Sequence, residues 1–359
     1  MTALRAIELF AGAGGMTLGV ENAGFSVMCA VENDPIHART HSQNFQSCRV
    51  LVGDVGKQTG ADLRATSGLS RTDELHLLFG GPPCQGFSVG GHRNPRDPRN
   101  VGILEFARLV RELRPLYFIM ENVRGILMSQ MSDTLSMFLG EISQAGYDVV
   151  GPVQTLDAAD FSVPQNRARV FFLGYRYGCT PPTYPERRRS RVTVGEALAD
   201  IPPLEAIPEL YEQSDALVKL GPPSHYSARL RDKNMSPTSY RLTACQLTRH
   251  SAVVRERFRR TKRGAQEPVS RFIRLSNDAQ STTLRAGTDI TRGRFTAPRP
   301  IHPDEHRCIT VREAARLHSF PDAFQFAGTI WHGFRQVGNA VPPLLAEVVA
   351  LQVKRALAG

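Results

Sequence analysis

Two short stretches hold side chains suited to covalent and acid–base chemistry, and a third supplies cations. "GGPPCQGFS", Gly80 to Ser88, places Cys84 just beyond the apolar run Leu75 to Phe79. A thiol there is either packing material or an aimed nucleophile, and on composition alone most cysteines are buried filler. Pro82 and Pro83 favour the second reading, because a stiff backbone ahead of the thiol would hold the sulfur's direction. "FIMENVRG" ends another apolar run with Glu121. A carboxyl in a pocket can have its pKa raised enough to hold or donate a proton, and capping the turn that follows is the plainer alternative. "VPQNRARVFFLG" sets Arg167 and Arg169 two residues apart. If the strand already begins there they share one face, and only one needs to reach a pocket; the other holds phosphate or pairs with an acid.

These residues need a scaffold, and "IELFAGAGGMTLGVENAGF" reads as strand, glycine turn, helix. Gly12, Gly14 and Gly15 let a ligand approach the backbone and leave amide hydrogens free at the helix start. A dinucleotide fingerprint G-x-G-x-x-G, counted from Gly12, fails at Thr17, which speaks against a nicotinamide dehydrogenase. The next strand ends at "VENDP", where Glu32 is placed to bind ribose hydroxyls, and a third ends at "VLVGDV", where Asp54 could accept a hydrogen bond from an adenine amino group. Together they suggest a pocket for an adenosine-containing cofactor that lacks a pyrophosphate.

The first 180 residues alternate short apolar runs with amphipathic ones, the pattern of an α/β fold with a parallel sheet. Strands are expected at 6–10, 26–31, 75–79, 116–120 and 169–174. Helices are expected at 16–23, 35–44, 101–114 and 133–145. In open sheets of this kind the chemistry lies beyond the carboxyl ends of the strands, where Cys84 and Glu121 both fall. The glycine- and arginine-rich stretch 86–100 has the makings of a closing lid over an anionic ligand. Residues 179–237 are rich in proline and suit an irregular second domain. Regular structure returns from Thr310, with "TVREAARLHSF" helical and the last residues forming an amphipathic helix.

Composition narrows the partners. With 41% hydrophobic and 22% charged residues the chain is ordinary globular protein. No apolar stretch reaches the ~18–20 residues of a membrane span, and the N-terminus lacks the zones of a secretory signal, so a cytoplasmic protein is expected. The six cysteines form no CxxC pair and no Cys/His cluster, which predicts free thiols and no metal. The net charge is +10, and residues 225–275 alone carry 13 Lys and Arg against three Asp and Glu. Charge concentrated in this way suggests a docking surface for a polyanion.

Taken in order, "ELFAGAGG", "VENDP", "GDV", "GGPPCQGFS", "ENV", "QNRARVFFLG" and "QVGNAVPPLLA" resemble the motifs of the DNA (cytosine-5) methyltransferases, and the likeness covers most of the chain. "STTLRAGT" and "PRPIHPDEHRCITVREAARLHSFPD" look like the stretch that follows the family's variable DNA-reading region. The resemblance implies an S-adenosylmethionine-dependent methyltransferase fold, a Rossmann-like mixed sheet with helices on both faces, plus a smaller irregular target-recognition domain. Its expected divisions are 1–180 for the first catalytic part, 181–309 for target recognition and 310–359 for the return. It implies Cys84, Glu121, Arg167 and Arg169 as the catalytic set. Phe10, Gly12, Gly14, Gly15, Met16, Glu32, Asn33, Asp54 and Asn339 would bind S-adenosyl-L-methionine. Phe10 would stack on the adenine and Asn339 would close the pocket from the far end of the chain. The implied partner is double-stranded DNA, bound by a monomer with no membrane association, with a companion restriction endonuclease acting on the same sequence. A transfer-RNA methyltransferase and a noncatalytic DNA-binding regulator on the same scaffold are the alternatives.

Overall fold

In the computed structural model, which describes residues 3–83, 101–128, 131–188, 190–288 and 298–359, the apolar runs become strands and the amphipathic runs become helices. The chain folds as two compact units. The first comprises Met1–Asp157, Ala168–Glu186 and Leu345–Gly359, and the second Ala158–Arg167 and Arg187–Leu344. The limits drawn from sequence, at 180 and 309, differ from these: residues 158–167 and 310–344 belong to the second unit by their packing.

The first unit runs β1 (Leu4–Leu9), α1 (Gly15–Asn22), β2 (Phe25–Glu32), α2 (Pro35–Asn44), β3 (Arg49–Val52), α3 (Gly60–Thr66) and β4 (Leu77–Gly80). It continues with α4 (Val101–Leu113), β5 (Tyr117–Asn122), α5 (Ser132–Gln144), β6 (Tyr147–Val149), β7 (Gln154–Asp157) and β8 (Ala168–Arg176), and the C-terminal helix Pro343–Ala358 closes it from Leu345 onward. All five strands and four helices expected from sequence are present, with ends shifted by at most two residues at either end.

The sheet order is β3-β2-β1-β4-β5-β8-β6, with β7 also paired to β8. Strands β1 to β5 are mutually parallel, whereas β8 runs antiparallel to β5, so the sheet is mixed. Strands β6 and β7 pair with opposite ends of β8 and together serve as one broken edge.

Period-two alternation sorts the side chains between layers. Ile7 and Leu9 of β1, Phe118 and Met120 of β5, and Val170 and Phe172 of β8 share a core with Phe106, Val110 and Phe138 from α4 and α5. The opposite face of β1 carries Glu8, which meets Thr17 of α1 and His41 of α2. On the same side of β5, the Tyr117 hydroxyl donates to the Ala356 carbonyl of the C-terminal helix. Strand order reverses where β1 lies between β2 and β4, and a crevice at the carboxyl ends follows from that topology.

The second unit holds α6 (Val194–Leu198), β9 (Ala216–Val218), α7 (His225–Leu230), β10 (Tyr240–Leu242), α8 (Ala252–Arg260), α9 (Val311–Leu317) and α10 (Ile330–Asn339). Its prolines break the chain into short elements, and β9 and β10 form a two-stranded antiparallel sheet. Leu204, Leu210, Val218, Tyr240, Leu242 and Leu247 make a separate core. No helix among the described residues is long and apolar enough to cross a membrane.

Candidate active site

At the carboxyl end of β1 the chain turns sharply. Phe10 takes φ 56°, Gly12 φ 57° and Gly14 φ 93°, all left-handed. A side chain on Gly14 would also strike Phe45 and His41, whereas around Gly12 the space is open. Gly14 caps α1 without a side-chain hydrogen bond, so the first amides of that helix have no capping side chain. Glu32 ends β2. Its carboxylate accepts from the amides of Gly12 at 2.7 Å and Asp34 at 2.8 Å, which fixes it beside the glycine turn. Burial pushes its pKa up, and the two amide bonds work against that shift.

Asn33 is exposed one residue on, and Met16 is buried in the first turn of α1. Asp54, beyond β3, is exposed and uses one carboxylate oxygen to cap the turn at Gly56, 2.9 Å. Phe10 is half-buried against the main core.

Beneath the turn lies a polar cluster that sequence reading missed. Glu8, Thr17 and His41 are fully buried together, with Thr17 Oγ1 2.8 Å from His41 Nε2 and also donating to Glu8. It ties β1 to the first two helices; the only advance signal was a charged residue inside an apolar strand.

On the other side of the switch point, Glu121 ends β5 and Arg169 stands near the start of β8. Antiparallel pairing sets Glu121 opposite Phe171, and Arg169 Nε reaches Glu121 Oε1 at 2.9 Å with both side chains largely buried. The backbone leaving β4 crosses this pair closely, since a Cβ built on Gly81 would stand 2.9 Å from Glu121 Oε2. Asn122, buried and also absent from the sequence reading, donates from Nδ2 to the Pro82 carbonyl at 3.2 Å. The peptide that leads to Cys84 is thus pinned to the strand that carries Glu121. Cys84 itself, with the lid expected over 86–100, lies outside the described residues.

Arg167 is placed differently from Arg169. Because β8 begins at Ala168, the two arginines do not alternate along one strand, and Arg167 belongs to the second unit. Its guanidinium is buried and donates to the carbonyls of Leu284 at 3.1 Å and of Gly338 and Ala340 at 2.8 Å each. The structure brings Arg169 to Glu121. Asn339, the last residue of α10, is exposed between those two anchored carbonyls.

The other cysteines are free thiols. Burial pushes Cys29 up to about 11 and Cys245 and Cys308 up to about 12, with Cys48 raised as well, so none of these four supplies thiolate readily at neutral pH. His302, Glu305 and Glu313 lie close enough to suggest a metal set. Arg307 instead bridges both carboxylates. Burial raises Glu313, and Arg307 outweighs it to hold the group at about 2.

The family model for C-5 cytosine-specific DNA methylases matches residues 4–355. The chain belongs to that family. The Type II methyltransferase M.XorII of Xanthomonas oryzae is 47% identical over 99% of this chain and 86% of its own length. M.DdeI of Desulfomicrobium norvegicum, also a Type II methyltransferase, is 32% identical over 97% and 88%. Among solved structures, a prophage-encoded DNA modification methyltransferase from E. coli superposes with a TM-score of 0.84 at 31% identity, covering 99% of this chain and all of that one. The S. pombe Dnmt2 methyltransferase, at 19% identity and a TM-score of 0.61, shares the fold. The protein is therefore a DNA cytosine-5 methyltransferase of the kind found in restriction–modification systems, and its sheet is the methyltransferase sheet.

Proposed function

We propose that this methyltransferase transfers the methyl group of S-adenosyl-L-methionine to carbon 5 of a cytosine within a specific double-stranded DNA sequence, through a transient bond between Cys84 and the base. The observation that carries the reading is the Glu121–Arg169 pair, set 2.9 Å apart against Gly81, three residues before Cys84. Chain bonds alone keep the Cα of Cys84 within about 8 Å of that of Pro82.

The residues fit the methyl donor. Open space at Gly12, the amides at the start of α1 around Gly14, Gly15 and Met16, and the anchored Glu32 carboxylate make a cradle for an amino-acid tail and a ribose. Phe10 offers a half-buried ring for an adenine, and Asp54 an acceptor for its amino group. Asn33, exposed beside Glu32, would border the ribose, and Asn339 remains a cofactor candidate. When bound, the sulfonium supplies an electrophilic methyl group.

Carbon 5 of cytosine is too weak a nucleophile to take that methyl unaided. The Cys84 thiolate adds to carbon 6, and the ring electrons move toward carbon 5. Glu121 shares or donates a proton at ring nitrogen 3, and the Arg169 guanidinium holds oxygen 2, so the charge of the adduct is met where it develops. After methyl transfer, loss of the carbon 5 proton expels the thiolate and restores the ring. Stacking hides carbon 6 in a duplex, so the base must be flipped out at a cost of a few kcal/mol. Contacts from the basic second unit would offset that cost.

The test is methyl transfer from labelled S-adenosyl-L-methionine to duplex DNA and to transfer RNA, followed by sequencing with a 5-methylcytosine readout. Methylation of one cytosine in a fixed duplex sequence supports the reading; label in transfer RNA alone, or in neither, overturns it.

A further inference from the structure

The excess of positive charge in residues 225–275 is largely spoken for inside the second unit. Eight of its cations form ion pairs: Arg231, Arg241, Arg249, Arg255, Arg257, Arg259, Arg260 and Arg263. Arg274 is buried on backbone carbonyls. Among the described residues no ion pair or side-chain hydrogen bond is formed by Arg229, Lys233, Lys262 or Arg271. Of these four, Arg271 is mounted differently.

It sits in a turn closed by the antiparallel bridge between Gln266 and Ile273. The Glu267 amide donates to the Phe272 carbonyl at 2.8 Å, and the Arg271 amide donates to the Glu267 carbonyl at 2.9 Å. The Glu267 carboxylate, almost wholly buried, accepts from the amides of Val269 and Ser270 and pairs with Arg257 at 3.3 Å. Gln266 Nε2 donates to the Arg271 carbonyl at 2.9 Å. From below, Phe272 packs on the Phe258–Ile301–Cys308 cluster, which anchors the turn to α8. Val269 and Arg271 stand exposed on this fixed frame. Val269 is 66% exposed, and Arg271 is held at φ 61°, a left-handed conformation that L side chains rarely adopt.

We propose that this turn reads bases, with Arg271 directed at the edge of a guanine and Val269 at an apolar neighbour such as a thymine methyl. The proposal rests on the DNA-methylating function above and names the residues that set its sequence preference. Rigidity is what separates base reading from simple phosphate binding. A phosphate is a diffuse target repeated along any duplex, and a cation on a flexible mount serves it well. A bidentate contact to O6 and N7 of guanine needs donors placed within about 0.5 Å. A locked backbone, a strained arginine and an apolar side chain left in water in a cationic segment fit the second need.

The experiment methylates a randomised duplex pool with wild type, R271A, R271K and V269A, and derives each consensus by sequencing. Alanine accepts φ 61° no worse than arginine, and matched melting curves check that each variant is folded. We expect R271A and R271K to lose preference at one guanine by roughly 10- to 100-fold, with the salt dependence of binding nearly unchanged, and V269A to relax an adjacent position. An R271A consensus identical to wild type overturns the proposal, whether or not its salt slope falls by about 0.9, the mark of a lost phosphate contact. In that event wild-type methylation still stands; failure of the wild type to methylate duplex DNA would instead overturn the underlying function.

Discussion

Gly81→Ala tests the geometry of the site with a single methyl group. Gly81 does not occupy the left-handed region, so alanine fits its backbone. The added Cβ would stand 2.9 Å from Glu121 Oε2 and 3.8 Å from the Glu121 carbonyl. Ordinary contact begins near 3.4 Å, so the carboxylate must retreat by about half an ångström. It is the far end of a flexible side chain, and yielding costs little stability. The same retreat disturbs a 2.9 Å bond to Arg169 and the point at which a proton is offered to the base. If a 1 Å error in a reacting group costs on the order of 100-fold, half of that costs about 10-fold in kcat, or about 1.4 kcal/mol of activation free energy. Steady-state methyl transfer on a cognate duplex, with kcat and both KM values measured beside a melting curve, reads this out. We expect kcat down about 10-fold, KM for S-adenosyl-L-methionine unchanged and Tm within a few degrees. Turnover within twofold of wild type would refute the reasoning, because the position of Glu121 would then not limit the reaction. Gly80→Ala is the contrast: its Cβ would lie 2.1 Å from the Leu9 backbone carbonyl, which cannot yield, so folding and not turnover should suffer.

Arg167→Met should remove a donor from each of three carbonyls, of which Ala340 keeps His318 Nε2 at 2.9 Å, and lower stability by roughly 2–3 kcal/mol, whereas Arg169→Met should melt near wild type and lose methyl transfer; the reverse pattern in melting and activity assays would exchange their roles. Glu32 is raised above the usual carboxylate value by burial, so its ionised form is lost earlier on acidification than that of an exposed glutamate. Calorimetry should find affinity for S-adenosyl-L-methionine falling as pH drops through that raised value, and weak, pH-insensitive binding in Glu32→Gln. For stability the sign is opposite: the contribution of Glu32 is fully present below the unfolded value near 4.5 and is lost as pH rises through the folded one. Arg229, Lys233 and Lys262, the cations of residues 225–275 other than Arg271 without an ion-pair partner among the described residues, would neutralise about three phosphates, giving a log–log salt slope of DNA affinity of about −2.7; a flat response would remove the second unit from DNA docking.

The strands that aim the site were legible because each is an apolar run ended by a polar residue, as at Glu32 and Glu121. The pieces that escaped were short or borrowed their stability. Strands β6 and β7, of three and four residues, exist because each finds half of β8 as a partner. Helix α9 was visible as a helix, yet all seven of its residues are buried. Arg312 and Arg316 look like solvent-facing positions in the sequence, but the fold surrounds them with carbonyls and with Asp200 and Asp322. Spacing would put Arg167 and Arg169 on one face only of a strand that already includes Arg167, and β8 begins at Ala168, which leaves Arg167 outside it. Local charge counts likewise overstated the basic surface, because Glu205, Glu212 and Asp215 come from outside the basic segment to neutralise it.

The central claim is a bond between Cys84 and carbon 6 of the target base, and a duplex carrying 5-fluorocytosine at the methylated position tests it most directly. Fluorine replaces the proton that must leave carbon 5, so after methyl transfer the thiolate cannot be expelled. With S-adenosyl-L-methionine present, the account predicts a protein–DNA complex that survives denaturation, maps to Cys84 and is absent in Cys84→Ser. Wild-type protein that methylates the ordinary duplex yet forms no such complex with the fluorinated one would contradict it.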